Sequence, residues 1–99
     1  MSVERFLQGR VAVVTGGTSG IGKAIALALA KHGASLAVGS RSARTSSMQS
    51  EIESHSAAAL VASLDVSSRE SVQTFYDAII QHFGKIDILI IPHLSLSVT

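Results

Sequence analysis

Val11–Val14 is an unbroken apolar run closed by Thr15, the pattern of a parallel strand buried on both faces. Three spaced glycines, Gly16, Gly20 and Gly22, follow it. From Ser19 or Gly20 to about His32, the residues Ile21, Ala24, Ile25, Ala28 and Leu29 then recur at helical spacing. Gly33 ends that helix, and small alanines on its inner face allow close approach to a sheet. Ser35–Gly39 reads as a second short strand, Ala57–Leu64 as a third and Ile86–Ile91 as a fourth, with Pro92 closing the regular structure. The serine-rich stretch 42–56 is compatible with a linker. Met48 and Ile52 on one helical face favour a weak, exposed helix ending near Glu53 or Ser54, with His55 and Ser56 as the turn. Ser67-Ser68-Arg69-Glu70 fits a capping box with Ser67 as the cap. Behind it Val72, Phe75, Tyr76, Ile79, Ile80 and Phe83 make one apolar stripe that stops at Gly84.

Strand and helix therefore alternate with short connections, which predicts an α/β fold with a parallel sheet and helices on both faces. Right-handed crossovers give the strand order 3-2-1-4, with the first two helices on one face and the third on the other. The order reverses beside the glycine turn, and ligands bind at such a crevice.

The turn has chemistry of its own. A helix opening under glycines aims unpaired N–H groups and the positive end of its dipole at whatever lies above, which suits a phosphate. Gly16 lets the chain leave the strand, Gly20 and Gly22 remove Cβ atoms where a diphosphate or a neighbouring strand approaches, and Thr18 and Ser19 add hydroxyls. Residues Gly17 to Lys23 also satisfy G-x-x-x-x-G-K, the opening of a P-loop. That motif continues with a magnesium-binding Ser or Thr, where this chain has Ala24, so an NTPase is disfavoured.

Composition narrows the picture. Ninety-nine residues suit one domain with a modest aliphatic core, and the absence of cysteine excludes disulfides and thiolate zinc sites. The histidines show no metal-ligand spacing. A net charge of +1 points to neither nucleic acid nor a membrane surface, and the absence of a leader-like or membrane-length apolar run makes a cytoplasmic protein the expectation. Charge is unevenly placed, however: no Asp or Glu lies between Arg5 and Ser50, whereas Arg5, Arg10, Lys23, Lys31, Arg41 and Arg44 do, mild support for a polyanionic ligand.

Thr15-Gly16-x-x-x-Gly20-Ile21-Gly22, between a strand and a helix, resembles the cofactor fingerprint of the classical short-chain dehydrogenases/reductases, whose fold is Rossmann-like. The resemblance runs from about Gly9 to Ile90. It implies a dinucleotide held by Gly16, Thr18, Ser19, Gly20, Ile21 and Gly22, with Asp65 bonding the adenine amino group and Val66 supplying a backbone contact. As a bare residue, Asp65 is also compatible with a turn or helix-entry aspartate. After the second strand, where an NAD-binding fold places an acid for the ribose 2′-hydroxyl, this chain has Ser40 and then Arg41. A guanidinium can hold a 2′-phosphate, and no acid repels it, so NADP(H) is expected over NAD(H). Ser19 departs from the second basic residue found in many NADP-preferring relatives; Arg41 by itself is also compatible with an exposed loop arginine.

Past Ile90 the resemblance stops. Relatives continue with Asn-Asn-Ala-Gly and later a catalytic Ser and a Tyr-x-x-x-Lys pair, whereas here Ile91-Pro92-His93-Leu94 follows, and the only tyrosine, Tyr76, has Ile80 four positions on. The expectation is residues 1–91 as an NADP-binding half-domain, 92–99 as a divergent tail, no catalytic residue, and a truncated, inactive chain. The apolar fourth strand then forms an edge through which the chain could pair with itself or with a full-length subunit as a non-catalytic module.

Overall fold

A computed structural model describes residues 5–16, 20–43 and 46–91. The expected tail at 92–99, with Pro92 and His93, lies outside the described residues, as do Gly17, Thr18 and Ser19 of the turn. The element order is β1 (Val11–Thr15), α1 (Gly20–Lys31), β2 (Ser35–Ser40), α2 (Met48–Glu53), β3 (Ala59–Ser63), α3 (Arg69–Phe83) and β4 (Ile88–Ile90). The strands form one parallel sheet in the order β3-β2-β1-β4, as the alternating pattern requires.

Alternation along each strand sorts side chains between two cores. Ala12, Val14, Leu36 and Val38 face α1 and α2, meeting Ala26, Ala30, Met48 and Ile52. Val13 and Ala37 point the other way, onto Leu64, Phe75 and Ile79 under α3. The buried positions of α1, Gly22, Ala26 and Ala30, are the small residues that let that helix lie close to the sheet.

Four details differ from the expectation. On α1 the face against the sheet is Gly22, Ala26 and Ala30, one position along from the expected stripe, of which Ile21, Ala24 and Ala28 are exposed. The second helix is short, but its inner face is not exposed: Met48 and Ile52 are completely buried. Gln49 explains part of its anchorage, because its side-chain amide donates to the Ala59 carbonyl (2.9 Å) and accepts from the Val61 N–H (3.2 Å). It thereby mimics a neighbouring strand along β3. The cap of α3 is Ser68 rather than Ser67: the Ser68 hydroxyl accepts from the Ser71 N–H at 3.2 Å. Ser67 instead gives both its N–H (3.0 Å) and its hydroxyl (2.6 Å) to Asp65 Oδ1, so the helix starts one residue later. Finally, β3 and β4 are shorter than their apolar runs. The start of β4 is fastened by Asp87, whose N–H donates to the Val11 carbonyl and whose carboxylate accepts from the Val11 N–H.

Among the described residues β4 pairs with β1 alone, leaving its other side as the sheet edge. Leu89 and Ile91 are more than half exposed there. Between this edge and α3 runs an apolar groove of about 510 Å³, lined by Val72, Phe75, Tyr76, Ile79, Leu89 and Ile91 among others. Tyr76, a member of the apolar stripe, is half exposed on the wall of that groove. No helix among the described residues is long and apolar enough to cross a membrane.

Candidate functional site

In-register parallel pairing decides which chain ends meet. Thr15 is paired with Gly39 and Ser40 with Ser63, so the glycine turn after β1, Arg41 after β2 and the Leu64-Asp65-Val66 segment after β3 emerge at one end of the sheet. There they enclose a cavity of about 270 Å³ lined by Gly16, Gly39, Ser40, Arg41, Leu64 and Val66. Four of the residues singled out by sequence, Gly16, Ser40, Arg41 and Val66, thus share one wall. Gly16, Leu64 and Val66 also border the larger groove, so the two spaces are adjacent.

Gly16 and Gly20 both have positive φ, +65° and +60°, which a side chain would strain. Among the described residues, a Cβ at either would meet no atom within 4 Å. The Gly16 N–H is engaged, donating to the Gly39 carbonyl and tying the turn to β2. The first turn of α1, Gly20-Ile21-Gly22, is the remaining candidate place for an anion. Its amides precede any intrahelical partner, the turn carries no acidic residue of its own, and Ile21 is exposed. Gly22 is buried, facing the sheet side of the helix.

Arg41, largely exposed, extends from the end of β2 to Asp65, with Nη2 3.1 Å from Oδ1. The same oxygen takes both Ser67 donors. These bonds, Ser67's hydroxyl and N–H first and Arg41 next, hold the Asp65 carboxyl down at about 2. The Asp65 N–H in turn donates to the Ser71 hydroxyl. Ser40 Oγ forms a small turn with Ser42, accepting from its N–H and sharing a bond with its hydroxyl.

Pairing also resolves the uneven charge of the chain. Arg10 meets Asp87, Lys23 meets Glu51 and Arg41 meets Asp65, three basic residues of the first half paired with acids of the second; Arg5 instead donates to the His55 and Ser56 carbonyls. Lys23 Nζ, 3.3 Å from Glu51 Oε1, links α1 to α2, an engagement that weighs against a P-loop lysine. Among the described residues no group of three or more His, Asp or Glu side chains could hold a metal.

Gly39 and Leu64 are site residues that sequence reading missed. A Cβ on Gly39 would lie 2.6 Å from Leu64 Cδ2 and 2.8 Å from Phe75 Cζ, so the bare backbone is what lets α3 and the β3 end close on β2. An isolated glycine inside an apolar strand was the available signal.

Known proteins share this fold and part of this sequence. The family model of the short chain dehydrogenases matches residues 10–91. The hydroxynaphthalene reductase-like protein Arp2 of Metarhizium anisopliae is 40% identical over 88 residues, covering 87% of this chain and 33% of that protein. Among solved structures, a hydroxysteroid dehydrogenase from Escherichia coli superposes with a TM-score of 0.80 at 34% identity, covering 86% of this chain and 37% of its own. An alcohol dehydrogenase from Thermococcus sibiricus, complexed with 5-hydroxy-NADP, gives 0.77 at 40% identity, covering 81% and 35%. This chain thus spans about a third of the length of these relatives. With its sheet order, its glycine turn and a family match over most of its length, the chain belongs to the short-chain dehydrogenase family.

Proposed function

We propose that this chain is the NADP(H)-binding part of a short-chain dehydrogenase/reductase, an oxidoreductase interconverting alcohols and carbonyl compounds. The observation that carries the NADP preference is the wall of the smaller cavity. Ser40 and the cationic Arg41 stand at the end of β2, where a 2′-hydroxyl-binding fold places an acid. The positive-φ Gly16 and Gly20 and a first turn of α1 without an acidic residue support a diphosphate there. Gly20, Ile21 and Gly22 would hold it with Thr18 and Ser19, Arg41 the 2′-phosphate, and Asp65 and Val66 the adenine. When bound, the nicotinamide supplies or accepts the hydride. The chain's own part would be to hold the adenosine end of the dinucleotide.

Binding without turnover belongs to the same proposal. Family chemistry needs a tyrosine hydroxyl whose proton is made available by a lysine four positions on, and Tyr76 is followed there by Ile80. A cytoplasmic location also belongs to it. The deciding experiment is titration with NADPH and NADH of the parent chain and of Arg41→Ala. Charge-assisted hydrogen bonds to phosphate are worth about 1.5–3 kcal/mol, and solvent screening around the exposed Arg41 selects the low end. The variant should lose about tenfold in NADPH affinity and nothing for NADH; unchanged discrimination would remove the assignment.

A second reading, a non-catalytic module that pairs with a full-length subunit, is favoured by the exposed Leu89 and Ile91 at the β4 edge. Co-purification of a longer homologue with the parent chain, lost on charging Leu89, would support it.

A further inference from the structure

We propose that Asp65 sets the strength of the 2′-phosphate preference by holding Arg41 in an ion pair that the phosphate must open, an inference that rests on the dinucleotide reading above. Arg41 Nη2 bonds Asp65 Oδ1 at 3.1 Å across the ends of β2 and β3, and Arg41 lines the small cavity beside Val66. The two partners are unequal. Asp65 is fastened independently of Arg41, by the Ser67 N–H and hydroxyl on the same oxygen and by its own N–H to Ser71. Arg41 is the more exposed member, its side chain at 76% against 43% for Asp65, so it is the partner that can swing away.

A 2′-phosphate and the Asp65 carboxylate are both anions and both seek the same guanidinium. At the distance of a hydrogen bond the carboxylate neutralises much of the field that Arg41 presents to the cavity. A ligand bearing only a 2′-hydroxyl makes no such demand. Asp65 therefore lowers affinity for the phosphorylated nucleotide selectively, and it does so through Arg41. Toward the 2′-phosphate it is a positioning residue, holding Arg41 rather than the phosphate, and its proposed adenine contact is common to both probes below.

The test uses two probes, 2′,5′-ADP and 5′-AMP, titrated calorimetrically into the parent chain, Asp65→Asn, Arg41→Ala and the double variant. Asp65→Asn is isosteric and keeps an acceptor for Ser67, and both positions are exposed, so circular dichroism should show all four chains folded alike. Exposed ion pairs have strengths that translate into roughly two- to fivefold in an equilibrium constant. The ratio of 2′,5′-ADP to 5′-AMP affinity should thus rise about two- to fivefold in Asp65→Asn. The same substitution in the Arg41→Ala background should leave the ratio unchanged, because no cation remains to be released. An equal rise in both backgrounds would show direct repulsion of phosphate by the carboxylate and overturn the role of the pair. No rise in the parent background would overturn it too. Both outcomes leave the dinucleotide reading intact, whereas saturable binding of neither probe to any of the four chains would overturn both.

Discussion

Replacing Gly39 by alanine tests the packing that closes the end of the sheet around the candidate site. Gly39 follows Ala37 on the α3 face of β2, and its missing side chain is replaced by Leu64 and Phe75. An added methyl would stand 2.6 Å from Leu64 Cδ2, 2.8 Å from Phe75 Cζ and 2.9 Å from Leu64 Cβ. Carbon atoms prefer about 3.5–4.0 Å. Rotation of Leu64 relieves the first contact only, because its Cβ is fixed to the β3 end and the Phe75 ring is buried. Overpacking of this kind costs about 1–3 kcal/mol, and alanine recovers about 0.5–1 kcal/mol of backbone entropy relative to glycine. The net loss should be about 1–2 kcal/mol, a fall in Tm of roughly 5–15 °C for a domain of this size. Thermal melts followed by circular dichroism measure it. Phe75→Leu in the Gly39→Ala background should cost less than in the parent, since it removes the colliding ring atom. A Tm unchanged to within about 2 °C, or strictly additive costs, would refute the packing argument.

Ser68→Ala should lower stability by about 1 kcal/mol through loss of the α3 cap, measured by urea denaturation. Ser67→Ala should leave that helix end intact and raise the Asp65 pKa, followed by carboxyl NMR titration, because Ser67 supplies the leading bonds to that carboxylate. The folded Asp65 value, about 2 against an ordinary 3.8, is a lowered one. Its stabilisation is therefore fully present above about pH 4 and lost as pH falls toward about 2. The parent chain should lose more stability over that window than Asp65→Asn; identical pH profiles would contradict the assignment.

Strand number, order and helix placement could be read from the chain because each rests on a local pattern: Val11–Val14 for a doubly buried strand, the stripe from Val72 to Phe83 for α3. The glycine turn could be read for the same reason, since Gly16 and Gly20 are needed where the backbone turns to positive φ. What escaped depends on partners far along the chain. Ser67 and Ser68 are chemically the same residue, and the choice between them as cap is made by Asp65, which claims Ser67. The burial of Met48 and Ile52 follows from the sheet beneath α2, and Gln49 binds a strand ten and more residues away. Arg41 and Asp65, 24 positions apart, were each assigned to the nucleotide; their bond to one another comes from the β2–β3 register.

The most direct measurement is a titration of the isotope-labelled chain with NADPH, following backbone amide resonances. Saturable shifts concentrated at Gly20, Ile21 and Gly22, with a second group at Arg41 and Val66, are the predicted result. Absence of any saturable shift, or saturable shifts confined to residues remote from the glycine turn, would contradict a diphosphate resting on the start of α1.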